Sequence, residues 1–370
     1  MDGKAYALRD TSNLISPALI YYRDIILANT RRTIEMAGGA ERLWPHVKSH
    51  KSGEMIRLQV DLGITRFKCA TIAEAEMTAK AGGRDIILAY PLVGPNVSRF
   101  LRLAADFGQV TFYAIGDDLR QLEILSAEAG KMGTRVNVLI DVDMGMHRTG
   151  VSLDRLEGFY KAAAMFKGIV LKGMHCYDGH LHDYDLGARK AKVDEIDSGV
   201  LKIKESLERE GLDCGIMVMG GTPTFPCRTG KDGMYLSPGT CFIGHWGYHD
   251  KIPDMDFPPG AALLTRVVSH PTVNSFTLDL GYKGIAADHP AGERGTIAGM
   301  EEAKPLFQSE EHWVFSMPPG QPLPPIGSDC YVIPAHICPT SALYPQIIVA
   351  RDGEIIGEWQ VSARNRRINY

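Results

Sequence analysis

The sequence predicts an α/β protein in which a (β/α)8 TIM barrel is followed by a smaller, C-terminal β domain. In the first two-thirds of the chain, eight short apolar runs alternate with amphipathic helical patterns. Strands that alternate with helices form parallel sheets, and eight such units within about 250 residues are typical of a barrel. Past Pro258-Pro259-Gly260 the apolar runs follow one another without helices between them, which indicates a separate β domain. A doubly wound open sheet is the alternative for the first part.

Length and composition are those of an ordinary globular protein. The chain has 370 residues, 45% of them hydrophobic and 23% charged, with a formal net charge of -4. This length favours more than one domain, and the charge favours neither nucleic acid nor an anionic membrane as partner. The first residues lack an apolar signal core, so we expect a cytoplasmic protein. The seven cysteines follow no framework spacing, so we expect reduced thiols.

The barrel is assigned to residues 18–257. Its strands are predicted from the apolar runs 44–48, 66–70, 85–91, 109–114, 135–143, 169–177, 214–220 and 235–242. The clearest helical patterns between them are 73–81, 97–107, 119–132, 153–166 and 189–210. The two periods, about 2 and 3.6 residues, are what distinguishes these strands from these helices.

The β domain is assigned to residues 258–370 together with 1–17. Its strands are predicted at 263–268, 275–280, 312–315, 330–333 and 346–349. Asp352-Gly353 stands between two apolar runs, which is a strong hairpin signal. The segment 18–22 is expected to be a strand that pairs with this domain.

Lys48 is the candidate for a covalent link to a cofactor. It ends the first predicted strand, and His46 and His50 flank it. Catalytic groups of barrel enzymes lie at the C-terminal ends of the strands, where a buried strand end can fix an ε-amine. A lysine in that setting is suited to a Schiff base. Lys51, three residues on, is more simply interpreted as a solvated or phosphate-facing charge.

Two glycine turns are candidates for holding a phosphate group. Gly220, Gly221 and Thr222 follow the seventh predicted strand, and Gly239 and Thr240 end the eighth. Barrels often bind phosphate with the loops after strands seven and eight, because backbone N–H groups and hydroxyls there can face the phosphate oxygens. The alternative is that both are ordinary turns between a strand and a helix.

Polar side chains also follow the fifth and sixth predicted strands. Arg148 can hydrogen-bond an anionic phenolate or a carboxylate, or it can form a structural salt bridge. The ring of Tyr177 could stack on a cofactor. His180 and His182 are candidate catalytic bases, although a single histidine is more often structural.

A candidate metal site lies near the end of the chain. His336 and Cys338 alternate, so in an extended segment both side chains can reach one ion. Imidazole together with thiolate favours zinc over magnesium, and another divalent ion such as Mn2+ is the alternative. A buried structural pair would show the same spacing.

Together these motifs resemble the D-serine dehydratase and D-threonine aldolase family, fold-type III pyridoxal phosphate enzymes. P-H-V-K-x-H-K at 45–51 resembles the family's Schiff-base motif, R-T-G at 148–150 its arginine motif and G-G-T-P at 220–223 its phosphate turn, while H-x-C-P-T at 336–340 resembles the dehydratase zinc pair. The resemblance implies a barrel of the alanine racemase N-terminal type, a pyridoxal 5'-phosphate linked to Lys48, a ring stacked on Tyr177 and a metal on His336 and Cys338.

The resemblance also implies an activity. We expect a lyase that acts on D-3-hydroxy amino acids, most simply by β-elimination to a 2-keto acid and ammonia. Retro-aldol cleavage to glycine and an aldehyde is the first alternative, and a racemase or a non-catalytic cofactor-binding protein is the second. Relatives pair head to tail, so a homodimer is expected, with a small-molecule substrate as the other partner.

Overall fold

The computed structural model describes residues 3–244, 246–247 and 252–370. These residues form two compact units. The barrel unit contains residues 32–48, 53–239 and 365–370, and the sheet unit contains the described residues of 1–31, 49–52 and 240–364.

Strands and helices are numbered in chain order. The strands are β1 (Ala18–Tyr22), β2 (Arg66–Cys69), β3 (Asp85–Leu88), β4 (Thr111–Gly116), β5 (Val136–Asp143), β6 (Ile169–Tyr177), β7 (Ile216–Met219), β8 (Tyr235–Leu236), β9 (Ala261–Thr272), β10 (Ser275–Leu278), β11 (Gly295–Ile297), β12 (Lys304–Gln308), β13 (Trp313–Ser316), β14 (Asp329–Pro334), β15 (Gln346–Arg351) and β16 (Glu354–Gln360). The helices are α1 (Arg23–Ala37), α2 (Gly53–Asp61), α3 (Ile72–Lys80), α4 (Asn96–Asp106), α5 (Leu119–Lys131), α6 (Leu153–Ala163), α7 (Leu186–Arg209), α8 (Phe225–Arg228) and α9 (Ile337–Leu343).

The barrel unit contains a parallel sheet whose strands β2 to β8 stand in chain order. Helices connect most successive strands, which confirms the predicted alternation. The five predicted helices lie within three residues of their observed ends. Two of these helices, α3 and α5, begin at side-chain caps. Thr71 Oγ1 accepts from Glu74 N–H at 3.1 Å, and Asp118 Oδ1 accepts from Gln121 N–H at 2.9 Å.

The first predicted strand is present as two isolated bridges. Leu43 bridges to Leu236 of β8, and His46 bridges to Lys68 of β2. The N–H of Lys68 donates to Pro45 O at 2.8 Å. Pro45 has no N–H to donate, so the ladder does not extend beyond these bridges. The predicted eight-stranded barrel is therefore built from seven strands, and this segment joins its first strand to its last.

An aromatic layer fills part of the barrel interior. The ring of Trp44 lies 5.5 Å from that of Tyr113 and 5.3 Å from that of Tyr235, both edge to face. Its Nε1–H donates to Phe67 O at 2.8 Å, so the buried indole leaves no unpaired donor.

The sheet unit contains one nine-stranded sheet, mostly antiparallel. The strand β1 pairs with β15 in parallel and with β9 in antiparallel fashion, which confirms the prediction that 18–22 joins this sheet. The hairpin between β15 and β16 is also confirmed, since Asp352 and Gly353 have φ of 50° and 75°. Positive φ at both central residues matches the right-handed twist of the strands.

Three features of the sheet unit differ from the prediction or were missing from it. The strands β11 and β12 were not predicted, and both lie at turn-rich, partly exposed positions where the apolar alternation is weak. The segment from His336 to Cys338 was interpreted as extended, but Cys338 lies in the helix α9, which begins at residue 337. Pro339 lies in its first turn, where a missing N–H costs no hydrogen bond. No helix among the described residues is long and apolar enough to cross a membrane.

Candidate active site

Lys48 lies in a short 3-10 turn, Val47–Ser49, just past the bridging segment. The sequence predicts a strand that ends at this lysine; the turn replaces it because Pro45 interrupts the ladder. The N–H of Lys48 donates to His46 Nδ1 at 3.3 Å. The first flanking histidine therefore fixes the backbone that carries Lys48, in the manner of a side-chain turn.

Tyr177, at the end of β6, lies at the centre of a cationic cluster. Its ring centroid is 5.8 Å from Lys48 Nζ, 5.5 Å from Lys68 Nζ and 4.9 Å from Arg148 Cζ. All three distances are within the range of cation–π contacts. The structure thus brings together three residues that were singled out from the sequence, Lys48, Arg148 and Tyr177, and adds Lys68.

Lys68 is the end of a buried polar row. Its Nζ lies 3.4 Å from His175 Nε2, and His175 Nδ1 lies 2.6 Å from Asp141 Oδ1. Burial, followed by the charge of Lys68, lowers the pKa of His175, so we assign a neutral ring. Its Nδ1–H then donates to Asp141, and Nε2 accepts from Lys68.

The glycines of the first turn are required by close packing. A Cβ on Gly221 would lie 2.9 Å from Tyr177 Cε2, a distance at which an atom must move. Gly220 has φ of 75°, which favours glycine. The turn therefore lies directly against the tyrosine ring.

The two predicted phosphate turns are joined by a hydrogen bond. The N–H of Gly239 donates to Thr222 Oγ1 at 2.9 Å, and the N–H of Gly221 donates to Thr224 Oγ1 at 3.2 Å. The Thr222 hydroxyl thus connects the turn after β7 with the turn after β8. The fifth predicted residue, Thr240, belongs to the sheet unit and is described below.

A buried ion network stabilises the first turn. Arg228 Nη1 lies 2.7 Å from Asp178 Oδ2, and Nη2 lies 2.7 Å from Asp197 Oδ1. The same Nη1 donates to Thr224 Oγ1 at 3.0 Å, and that hydroxyl donates to Asp178 at 2.7 Å. The network holds the residue that accepts the Gly221 N–H.

The two candidate histidines of the β6–α7 loop differ in their surroundings. His180 is partly buried, and its Nδ1 is buried without a hydrogen-bond partner among the described residues. A Cβ on Gly145 would lie 3.4 Å from His180 Nε2, so this ring faces the loop that carries Arg148. His182 is exposed. Of the two, His180 is the better candidate for a base.

In the sheet unit, His336 precedes α9 and Cys338 is the second residue of that helix. Asp288 Oδ2 lies 2.5 Å from His336 Nδ1. The ligand atoms of Asp288, His289 and His336 all lie within 4.8 Å of one another. A histidine held through Nδ1 by a carboxylate presents Nε2 to a metal ion.

The surroundings of Cys338 favour a thiolate. Its Sγ lies 3.1 Å from Ser49 Oγ and 3.4 Å from Thr240 Oγ1. Burial opposes ionisation, but the hydrogen bond and charge of His336 and these two hydroxyls lower the thiol pKa to about 7. Burial likewise opposes the charge of His336, but Cys338 and Asp288 raise its pKa to about 9. The hydroxyl of Thr240, predicted to face phosphate, here faces the thiol.

Comparison with known proteins shows the family of this chain. The model described as "Alanine racemase, N-terminal domain" matches residues 23–245, more than half of the chain. The chain belongs to this family. A second model, "Putative serine dehydratase domain", matches residues 260–350.

Two curated relatives of this alanine racemase-like chain match nearly its whole length. The 3-hydroxy-D-aspartate aldolase of Paracoccus denitrificans (strain Pd 1222) is 28% identical over 96% of this chain and 94% of the aldolase. The D-threo-3-hydroxyaspartate dehydratase of Delftia sp. (strain HT23) is 23% identical over 92% of this chain and 96% of the dehydratase. Among solved structures, D-threonine aldolase from Filomicrobium marinum has a TM-score of 0.87 at 26% identity and covers 95% of both chains.

Two solved variants of a D-threo-3-hydroxyaspartate dehydratase concern a histidine and a cysteine two positions apart. In one variant alanine replaces the histidine, and in the other, described as the metal-free form, alanine replaces the cysteine. At 20% and 22% identity to this chain, these two structures show only that the fold is shared.

The side chains of the barrel unit fit the pyridoxal phosphate of this family. Lys48, Lys68 and Arg148 face one ring, and the nearby carboxylate of Asp141 is already bonded to His175. This leaves an excess of positive charge, which a cofactor with a phosphate and a phenolate would compensate. In the sheet unit, thiolate and imidazole fit a divalent ion such as zinc.

The sequence analysis missed Lys68, His175 and Asp141 as members of the site. A signal was present, because Lys68 is a lysine inside a short, otherwise buried strand, and such a group needs a partner. Asp288 and His289 were also missed. Their loop follows no strand end of the barrel, and only folding brings it to His336.

Proposed function

We propose that the chain is a pyridoxal phosphate- and divalent-metal-dependent lyase that eliminates water from a D-3-hydroxy amino acid. The observation that carries the choice of elimination is the His336–Cys338 pair, with Asp288 on the histidine and a thiol pKa near 7. The support from relatives is that the D-threo-3-hydroxyaspartate dehydratase of Delftia sp. (strain HT23) matches over 92% of this chain.

In this proposal the barrel unit binds and activates the amino acid. Lys48 holds the cofactor and takes the proton from Cα, while Tyr177 and Arg148 orient the ring. The turns at Gly220–Thr222 and Gly239 hold the phosphate group. Bound pyridoxal phosphate supplies an electron-withdrawing ring that makes the Cα proton removable.

The sheet unit would provide the second function. His336 and Cys338 hold the metal, which supplies a Lewis acid for the β-hydroxyl. His180, with its buried Nδ1, is proposed as the group that exchanges a proton with the leaving oxygen. The Cα–H and Cβ–O bonds break, water leaves, and hydrolysis of the resulting enamine returns one water and yields a 2-keto acid and ammonia.

Retro-aldol cleavage is the second candidate, and a specific observation favours it. The relatives that are 28% and 26% identical over nearly the whole chain are aldolases of 3-hydroxy-D-aspartate and D-threonine. In that reaction a base removes the β-hydroxyl proton and the Cα–Cβ bond breaks. Cα then takes up a proton, and glycine and an aldehyde are released.

The experiment separates the two reactions by their products. The purified protein is supplied with pyridoxal phosphate and Zn2+ or Mn2+, and is incubated with D-serine, D-threonine and D-3-hydroxyaspartate. Elimination yields a keto acid and one equivalent of ammonia. Formation of glycine and an aldehyde without ammonia would identify the protein as an aldolase. Interconversion of the enantiomers without either set of products would exclude a lyase.

A matched pair of variants tests the metal. Cys338→Ala should lose bound metal and turnover, because it removes the thiolate. Cys330→Ala, in a buried strand of the same unit, should keep both. Equal metal content in the two variants would contradict the proposed ligand.

A further inference from the structure

Lys68 is a buried lysine that the proposed function does not use. It lies in β2 between Phe67 and Cys69, and only 2% of it is exposed. Burying a lysine is costly unless its charge is paired or its proton is lost. The position of Lys68 inside the barrel therefore requires an explanation.

The side chain of Lys68 reaches across the barrel. Its strand, β2, and the strand of His175, β6, are separated in the sheet by β3, β4 and β5. In a closed barrel such strands lie on opposite sides, yet Lys68 Nζ lies 3.4 Å from His175 Nε2. The amine therefore lies inside the barrel, 5.5 Å from the centroid of the Tyr177 ring.

Within the described part of the chain, the amine of Lys68 forms no ion pair with an aspartate or glutamate. The charged and titratable groups that face it come from the turn before α2, from β5 and the loop after it, and from β6 and the residue after it: Lys48, Asp141, Arg148, His175, Tyr177 and Asp178. Burial, followed by the charge of Lys48, lowers the pKa of Lys68 to about 7.

The row behind Lys68 suits both forms of the amine. His175 is held by Asp141 with Nε2 as an acceptor, so it can accept from an ammonium or from a neutral amine. Gain or loss of a proton on Lys68 therefore breaks no hydrogen bond in the row.

We propose that Lys68 is a positioning residue of the cofactor pocket, which takes up and releases one proton beside Lys48 and so sets the charge facing the cofactor. This inference rests on the proposed function, because it takes Lys48 as the residue that holds pyridoxal phosphate. In the acidic range Lys68 adds a second positive charge to that of Arg148, beside the cofactor held by Lys48. In the alkaline range it is neutral, and the anionic cofactor meets one positive charge fewer.

The test uses the absorption spectrum of bound pyridoxal phosphate, titrated between pH 5.5 and 9. The wild-type spectrum should change in one step centred between about pH 6 and 8, since a nearby charge shifts the chromophore. Lys68→Met should show the alkaline form of the spectrum at every pH. Lys68→Arg, which keeps its charge, should show the acidic form at every pH.

Controls separate this role from a structural one. Lys172→Met changes a lysine of β6 that is partly exposed and paired with Asp213, and it should keep the step. At pH 6, Lys68→Met should also bind the cofactor about tenfold more weakly than wild type, and at pH 9 about equally. If Lys68→Met does not fold, Lys68→Gln replaces it, and Lys68→Arg is an independent test.

A step that persists in both the neutral and the arginine variants, or that is missing in wild type, would overturn the inference. A lysine with only a structural role would lower the melting temperature and leave the step in place. Borohydride reduction of wild type distinguishes a failure of the Lys68 inference from a failure of the proposed function. If no cofactor is fixed at Lys48, the proposed function fails; if it is fixed there and the step persists in the variants, only the Lys68 inference fails.

Discussion

Replacing Arg228 by methionine should destabilise the barrel unit by about 3–5 kcal/mol, the cost typical of breaking a buried ion pair from one side. The guanidinium is 1% exposed, and its partners Asp178 and Asp197 are 0% and 3% exposed. In the variant, Asp197 would still form an ion pair with Lys231 Nζ at 3.2 Å. Asp178 would lose its ion pair and would still accept a hydrogen bond from the Thr224 hydroxyl at 2.7 Å. Most of the loss therefore comes from one buried, unpaired carboxylate.

The assay is equilibrium urea unfolding followed by circular dichroism, with the dissociation constant of pyridoxal phosphate measured in parallel. Arg57→Met is the matched control, because its guanidinium pairs with Glu54 on the surface and is 55% exposed; it should cost at most about 0.5 kcal/mol. Adding Asp178→Asn to Arg228→Met should recover part of the loss. A loss below about 1 kcal/mol in Arg228→Met would refute the buried-charge reasoning.

Four further outcomes are expected. Borohydride should fix pyridoxal phosphate to Lys48, and peptide mapping that finds another lysine would contradict this assignment. Gly221→Val should raise the cofactor dissociation constant at least about tenfold, because a Cβ there would lie 2.9 Å from Tyr177 Cε2; unchanged affinity in a folded variant would count against the cradle. Chelation should abolish turnover and leave the spectrum of the bound cofactor largely unchanged, and full activity in a metal-free preparation would exclude a catalytic metal at Cys338. Burial lowers the pKa of His50 to about 3 from an ordinary 6.5. Below about pH 6.5 the unfolded chain therefore binds a proton that the folded chain does not, and the free energy of unfolding should fall. Urea titrations at pH 7 and pH 5 should show a smaller fall in His50→Asn than in wild type.

Features with a local cause were predictable from the sequence. The hairpin at Asp352-Gly353 follows from two residues that tolerate positive φ, and the barrel helices follow from their 3.6-residue period. Lys48, Arg148 and Tyr177 could be grouped because strand ends of a barrel meet at one face.

Features that depend on contacts across the fold were not predictable in the same way. Lys68 reaches His175 from the opposite side of the barrel, 107 positions away in sequence. The approach of Asp288 to His336 depends on a loop with no regular structure. The helix that begins after His336 was not predicted, because its first turn contains Pro339. Proline occurs both in first helical turns and in extended segments, so the sequence pattern alone does not distinguish the two.

The pairing of β1 has a consequence for the order of folding. This strand ends at residue 22, while its neighbours β9 and β15 begin at residues 261 and 346. At a synthesis rate of about 5–20 residues per second, the four buried side chains of β1 would wait roughly 10–50 seconds for the first of these neighbours. The strands of the barrel, by contrast, find their partners as they emerge. We therefore expect β1 to be the segment that a ribosome-associated chaperone protects during synthesis, and the last part of the sheet to gain protection from hydrogen exchange during refolding.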